Sequence, residues 1–487
     1  MVRFSIAPWL WPTESGKFTS EEIKMVSYLP LWETLSRLGV SKTFLAEAAG
    51  ITPSTMARFS RNENVSLTTI EKICETLNVQ IEDVVMRENQ GSLHGTFRPN
   101  KHEPVHRWYP YLEGYSRQLV EYELRDRNPG DVVYDPFAGS GTTPLTAVMN
   151  GIDGLYSEVN PVMRFISDVK LSCAVRAMDG DIDLSGLRRW RDRIASINFN
   201  DINSHQGNAL GDFSRFFDAD GLVGIQFLRE CIDEETDEST KDLLKVVLAS
   251  IVVPVSLMIR RGDLRFANAR ERDKSVLPFQ DTTISKIDEL LQDLERMEKS
   301  EPGAFRFVSE DVRDSNLDEC VDVVVTSPPY LNGTNYFRNT KLEMRVLDII
   351  ESENELGGFY QRGITAGINN VSSRREYPCL DELELDDLVE RLQRESYDTR
   401  IPVMVAGYFA DMKQAIDKIR SALKPHGILS FDIGDSQFAG VHVPTHSILD
   451  GMIQQAGLRP LGETVLRARR SRNGMTLTQR VMRYVKE

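Results

Sequence analysis

Val132-Val133-Tyr134-Asp135 is an apolar, β-prone run that passes directly into Pro136-Phe137-Ala138-Gly139-Ser140-Gly141 and then into the helix-forming residues 142–150. A strand that turns on glycines into a helix crosses over its sheet, so the next strand arrives parallel to the first. The same alternation recurs along the chain. Further β-rich runs fall at 154–158, 305–308, 321–326 and 428–433, and helical periodicity at 162–172, 404–423 and 445–456. The pattern predicts an α/β fold whose parallel sheet is covered on both faces. At the end, 458–466 and 477–485 flank a polar, arginine-rich turn and read as an antiparallel hairpin on one sheet edge.

Roughly 130 residues separate 172 from 305, far more than a crossover needs, so a mostly helical insertion is expected at 173–303. Inside it, 246–259 reads as a buried core helix, interrupted by Ser250, Pro254 and Ser256 and too short to span a membrane. Ahead of the sheet, 31–88 reads as a small all-α domain with helices at 31–38, 42–49, 53–59, 67–77 and 81–85. Ser41, Thr52 and Ser66 stand where helix N-caps belong, and Gly39 and Gly50 where helices stop. Residues 89–105 are polar, with Gly91, Gly95, Pro99 and Pro104, and read as a linker. Residues 1–30 form an N-terminal extension with no charged leader and long apolar stretch of the secretory kind.

Among the 487 residues, 58 Lys and Arg face 73 Asp and Glu, a net charge of −15. That balance excludes a uniformly basic coat, so contact with nucleic acid must come from local patches. Two stand out: 260–274, with six basic residues against three acidic and Phe266 among them, and 459–487, with eight against two. The five cysteines, Cys74, Cys173, Cys231, Cys320 and Cys379, form no close pair and the histidines are scattered. Neither a disulfide framework nor a metal site is expected, which fits a reduced, cytoplasmic protein.

Two motifs carry chemistry. The glycine turn allows a ligand to approach backbone N–H groups closely, as a nucleotide does. No lysine follows Gly141, against an ATP-type phosphate loop, and Pro144 stands where a dinucleotide fingerprint has its third small residue. Glu158 ends the next strand, nineteen residues past Gly139, where a carboxylate accepts hydrogen bonds from both ribose hydroxyls. The second motif is Thr326-Ser327-Pro328-Pro329-Tyr330, directly after the run 321–325. Two consecutive prolines hold the backbone extended and lack N–H groups, leaving carbonyls as preformed acceptors. Ser327 and the Pro328 carbonyl can take both hydrogens of an exocyclic amino group, and Tyr330 can stack on an extruded base. Alone, the segment is a proline-rich turn; beside the glycine loop it is a candidate catalytic site.

Together, DPFAGSGTT and the downstream TSPPY resemble the S-adenosylmethionine-dependent DNA amino-methyltransferases, which act on cytosine N4 or adenine N6. The resemblance covers roughly 101–172 and 304–487. It implies a Rossmann-like class I methyltransferase sheet over 106–172 and 304–487, S-adenosyl-L-methionine as cofactor, and double-stranded DNA whose target base is flipped out. It implies that Asp135, Pro136, Phe137, Gly139, Gly141, Thr142 and Thr143 bind the cofactor, with Glu158 on its ribose and Asp311 near its adenine. His106-Arg107-Trp108-Tyr109-Pro110-Tyr111 resembles the family segment that packs against the cofactor, making Tyr109 and Tyr111 candidates, although Gly114 stands where that family often has lysine. The catalytic residues implied are Ser327, Pro328, Pro329 and Tyr330. Serine at the head of this loop is the form usual in cytosine-N4 enzymes; adenine-N6 is the alternative, followed by an RNA methyltransferase or a cofactor-sensing DNA-binding regulator.

Ser41-Lys42-Thr43-Phe44-Leu45-Ala46 and Gly50-Ile51-Thr52-Pro53-Ser54-Thr55 resemble the Cro/repressor-type helix-turn-helix domains. That likeness offers Ser54, Thr55 and Arg58 to the major groove. Six basic residues against eight acidic over this domain leave a protein-binding or autoregulatory role open. The insertion is the expected target-recognition region, with Arg260, Arg261 and Arg265 toward phosphate. A restriction or defence-system partner and the oligomeric state are left open.

Overall fold

The computed structural model describes residues 26–28, 31–32, 34–35, 40, 42–60, 65–77, 79, 81, 84–87, 95–111, 113–199, 210–331, 334–371, 383–470 and 474–487. They fall into two compact units, Met1–Ser92 and Leu93–Glu487.

The first unit packs helices α1 (Lys42–Ala48), α2 (Pro53–Ser60) and α3 (Leu67–Leu77). Gly50, at φ +62°, takes the left-handed turn between α1 and α2. Thr52 then caps α2, its Oγ1 accepting from the Thr55 amide at 3.3 Å. The core gathers Leu45, Ile51, Phe59, Ile70 and Ile73, with Tyr28 edge-on to Phe59 at 4.5 Å between ring centres. Among the described residues of 31–38, Leu31, Trp32, Thr34 and Leu35 are helical; Gly39 and Ser41 lie outside the described residues. A two-stranded antiparallel pair, Val26–Ser27 with Met86–Arg87, joins the ends of this unit.

The second unit is built on seven strands: β1 (Val132–Asp135), β2 (Asp153–Tyr156), β3 (Phe305–Phe307), β4 (Val321–Thr326), β5 (Leu423–Gly434), β6 (Leu458–Arg470) and β7 (Thr476–Lys486). In space they run β6-β7-β5-β4-β1-β2-β3. β1 to β5 are mutually parallel, and the β6–β7 hairpin joins antiparallel through β7 against β5. The chain leaves β1 toward β2 and β3, then returns to β4 on the other side. Strand order thus reverses between β1 and β4, and a crevice opens outside their carboxyl ends.

Helix α4 (Arg117–Leu124), capped by Ser116, precedes β1. Helix α5 (Thr142–Met149) follows the glycine turn and is buried from Thr142 to Val148, so it reads as apolar all round rather than amphipathic. Helix α6 (Pro161–Asp179) starts on Asn160, whose side chain accepts from Val162 N, with Pro161 at the first turn, and stops at Gly180, φ +74°. On the opposite face, α11 (Arg400–Ala422) and α12 (Thr445–Gln455) cover the sheet around Tyr408, Phe409 and Phe431.

The insertion is no separate body. It begins within α6, and its helices α7 (Ser185–Ser196), α8 (Ala219–Glu234), α9 (Glu238–Ile251) and α10 (Phe279–Glu295) share one core with α6 through Ile166, Trp190, Leu228, Val247 and Leu290. The expected helix over 246–259 is corrected: α9 ends at Ile251, and Met258–Arg261 is a strand paired with Asp263–Phe266. Pro254 has no N–H for a helical bond and disfavours helix in its predecessor.

The linker reading is corrected in part. Residues 95–105 pack into the second unit: Phe97 and Asn100 are buried, and Asn100 donates to Tyr115 O at 2.9 Å and accepts from Arg117 N at 2.8 Å. Val105 N and Trp108 Nε1 each donate at 2.9 Å to the buried Asp293 of α10, which also accepts from Arg107 Nη2 at 2.5 Å. Polar composition here marks a hydrogen-bonded strap, not a free tether. Among the described residues no helix is long and apolar enough to cross a membrane.

Candidate active site

The crevice at the β1/β4 reversal holds a cavity of about 520 Å³, within the range of small-molecule sites. Its walls come from the strap, the glycine turn, the end of β2, the residues after β3, the TSPPY loop and the β6–β7 hairpin.

Gly139, at φ +53°, lies against Tyr111: a Cβ there would stand 2.6 Å from the tyrosine ring. Gly141, at φ +81°, likewise faces Ser167. Helix α6 holds the turn from below. Ser167 Oγ donates to Gly139 O at 3.0 Å, and the buried Lys170 ammonium donates to Ser140 O at 3.2 Å and to His106 O at 3.1 Å. Burial, with the Lys286 charge nearby, pushes the Lys170 pKa down to about 7 against the opposing charge of Glu289.

Glu158 enters the cavity from the end of β2. Its Oε2 accepts from Gly139 N at 2.7 Å and its Oε1 from Asn160 N at 2.8 Å, and the residue lines the cavity. Burial, with the nearby Asp135 charge, raises its pKa to about 7 against the pull of the Asn160, Gly139 and Val159 amides. A carboxylate so placed beside a glycine turn suits a pair of vicinal hydroxyls. Asp311 lines the cavity after β3, but Arg313 grips it, with Nε 3.0 Å from each carboxylate oxygen, and continues to Asp411 at 2.6 Å.

On the far wall the TSPPY loop leaves β4. Ser327, Pro328, Pro329 and Tyr330 all line the cavity. Tyr330 N donates to Tyr336 Oη at 3.2 Å, and the Tyr330 ring lies over Gly434, where a Cβ would stand 3.5 Å from it. Tyr330 Oη donates to Asp432 at 3.0 Å, and Gln479 Nε2 lies 2.9 Å from both Tyr330 Oη and Asp432 Oδ2. Asp432 is buried, which raises its pKa to about 7, while Gln479 and Tyr330 hydrogen bonds pull it down.

The cavity therefore gathers Tyr111, Pro136, Phe137, Gly139, Thr142, Glu158 and Asp311 with the TSPPY loop. Four expected cofactor residues stand behind its wall. Asp135 is buried, accepting from Tyr115 Oη at 2.8 Å and Thr326 Oγ1 at 2.7 Å, and so buckles the end of β1 to the end of β4. Thr143 bonds Val325 O, Gly141 caps α5, and Tyr109 turns its hydroxyl onto Glu343 at 2.8 Å. Glu113, Tyr336 and Gln479 line the cavity and had no sequence signal beyond proximity to a motif, while Arg467 brings the basic patch at 459–487 to the cavity wall.

The basic patch of the insertion is corrected. Arg260 is turned inward: Nη2 lies 2.7 Å from Asn339 O and 2.5 Å from the buried Glu343, so it braces a hairpin and is unavailable to phosphate. Arg265 is exposed but held bidentately by Glu271, at 2.9 Å for each bond. The Arg261 side chain lies outside the described residues. In the first unit Ser54 and Arg58 are exposed on α2, while Thr55 hydrogen-bonds Thr52 at 3.0 Å.

Sheet order, glycine turn and acid at the end of the following strand define an α/β protein with its cavity at the topological switch point. Residues 30–90 match the model of the Cro/C1-type HTH DNA-binding domain. Over 440 residues the chain is 24% identical to the type II methyltransferase M.BsoBI of Geobacillus stearothermophilus, spanning 78% of this chain and 84% of that protein. It is 22% identical to the type II methyltransferase M.MvaI of Kocuria varians, over 75% and 85% of the two chains. Superposition on the rRNA methyltransferase aviRa from Streptomyces viridochromogenes covers 79% of this chain and 92% of that one at 10% identity, with a TM-score of 0.24, too low to bear on fold or substrate. The chain is thus a homologue of type II methyltransferases that carries a Cro/C1-type helix-turn-helix domain.

Proposed function

We propose that this protein is a DNA methyltransferase that transfers the methyl group of S-adenosyl-L-methionine to the N4 amino nitrogen of a cytosine flipped out of duplex DNA. The observation that carries this reading is that the glycine turn with Glu158 and the TSPPY loop line one cavity.

The residues present fit the cofactor. Glu158 brings its carboxylate to the cavity wall, where it can accept from ribose hydroxyls, and Gly139, having no Cβ, lets the Tyr111 ring close directly on the turn. Asp311 would lie near the adenine, with Phe137 and Tyr111 also lining the cavity. When bound, S-adenosylmethionine supplies an electrophilic methyl on a sulfonium. The protein's own contribution lies in position and polarity. Ser327 and the Pro328 carbonyl would accept both amino hydrogens, which frees the nitrogen lone pair from conjugation and stabilises positive charge developing there. Tyr330, fixed by Asp432 and Gln479, would stack on the base. No cysteine nucleophile is needed.

Serine at the head of the loop favours cytosine over adenine. The test is modification-sensitive single-molecule sequencing of DNA from cells making wild type or Tyr330→Ala. A cytosine-N4 mark at one short motif, absent with the variant, is the expected result. An adenine-N6 mark would overturn the base assignment alone, and no mark in either strain would overturn the DNA substrate.

A further inference from the structure

Among the described cations of the C-terminal hairpin, Arg467 is the one that lines the cavity. Arg459, Arg480, Arg483 and Lys486 are each committed to a carboxylate, Glu487, Glu463, Glu123 and Glu319, at 2.8, 2.5, 2.6 and 2.9 Å. Arg467 is exposed, has no hydrogen-bond or ion-pair partner among the described residues, and lines the mouth of the cavity.

Its direction comes from a break in the ladder between β6 and β7. Val465 pairs with Arg480, then Arg467 with Gln479, so Leu466 is an extra residue on β6. Residues directly opposite in an antiparallel pair share a face, and successive residues alternate. Without the bulge Arg467 would lie on the face of Val465 and Arg480. With it, Arg467 shares the face of Gln479, whose Nε2 reaches Tyr330 Oη at 2.9 Å and Gly95 O at 2.8 Å. A guanidinium with no partner among the described residues therefore stands one cross-strand neighbour from the side chain that braces the TSPPY tyrosine.

The surrounding charge makes this position selective. Glu113, Glu158, Glu310 and Asp311 line the cavity, and a protein of net charge −15 attracts no polyanion in general. The other cavity-lining arginine, Arg362, is paired with Glu310 at 3.0 Å. A nucleotide whose base enters the cavity brings its flanking phosphodiesters to the mouth, where only Arg467 among the described lining residues offers an uncommitted positive charge. We propose that Arg467 binds a phosphodiester flanking the extruded nucleotide and so sets how far the base enters. This rests on the DNA methyltransferase reading above.

The test compares wild type, Arg467→Ala, Arg467→Lys and the hairpin control Arg459→Ala in duplex binding and steady-state methyl transfer across a salt series. Arg467→Ala should raise KM for duplex roughly tenfold and lower the slope of log affinity against log salt by about 0.9, the loss of one phosphate contact. Cofactor affinity should stay at the wild-type value, Arg467→Lys should recover most of the salt slope, and Arg459→Ala should match wild type. If wild type methylates DNA while Arg467→Ala keeps the wild-type KM and slope, or loses only kcat, the role of Arg467 is overturned and the enzyme reading stands. If wild type neither binds nor methylates duplex, the enzyme reading itself falls, and the proposal with it.

Discussion

Tyr330 Oη and Asp432 Oδ2 lie 3.0 Å apart, joining the loop after β4 to the interior of β5. Asp432 has its pKa raised to about 7 by burial, from an ordinary 3.8. A raised carboxyl binds more protons folded than unfolded between those values, so its contribution to stability is present below about 3.8 and lost as pH rises through about 7. Asp432→Asn should flatten the fall in thermal stability across that window, and an unchanged pH profile of Tm would refute the assignment. Tyr330→Phe keeps the ring but removes the donor; a cost of about 1–2 kcal/mol in chemical denaturation is expected, with a far larger loss of methyl transfer for Tyr330→Ala.

Glu158 titrates in the same region, raised to about 7 by burial. Only the ionised carboxylate has every oxygen lone pair available to hydroxyl donors, so affinity for S-adenosylmethionine should strengthen as pH rises through about 7. Glu158→Gln should bind some tenfold to hundredfold more weakly and without that pH dependence. Calorimetric titration across pH checks both, and a Gln variant with wild-type affinity would remove Glu158 from the cofactor site.

Lys170 shifts the other way, from an ordinary 10.5 down to about 7. The unfolded chain then binds more protons between about 7 and 10.5, so stability from this group rises with pH over that interval and is lost as pH falls through about 7. Lys170→Met should abolish the rise. It should also cost about 1–3 kcal/mol by leaving the His106 and Ser140 carbonyls without their donor. A rise that persists in the variant assigns it to another group.

Gly139 and Gly50 both hold left-handed backbone, at φ +53° and +62°, but in different surroundings. A Cβ at Gly50 meets nothing within 4 Å, so Gly50→Ala should cost only the conformational strain, about 1–2 kcal/mol. At Gly139 the Cβ would press on Tyr111 at 2.6 Å and push that ring into the cavity it lines. Gly139→Ala should lose measurable cofactor binding while remaining folded by circular dichroism; retained binding would show that the cofactor lies elsewhere.

The alternation of β-prone and helical runs was enough to read the parallel sheet and the edge hairpin, because each strand and helix carries its own local period. The two loops at the switch point were legible for a similar reason: glycines and paired prolines have backbone consequences visible without any tertiary context. Arg260 was misread because its partner Glu343 is 83 residues away, and a run of basic residues looks the same whether it faces water or a buried carboxylate. Gln479 escaped notice because it meets Tyr330 across 149 residues, through a strand pairing no local pattern encodes. The strap at 95–105 looked like a tether since its polar groups find their partners elsewhere in the fold, Asn100 on the backbone of Tyr115 and Arg117 and Gly95 O on the Gln479 side chain.

Asp293 sits on α10, near the end of the insertion, yet accepts hydrogens from Val105, Arg107 and Trp108, which precede the cofactor turn. Homologous enzymes are often recombined by exchanging an internal block in the hope of transplanting its recognition. Here a graft bounded at 173 and 303 would carry a buried carboxylate into the recipient without its three donors and leave the indole and the arginine that hold it behind. The transplantable cassette is discontinuous: it must include residues 105–108 along with the insertion.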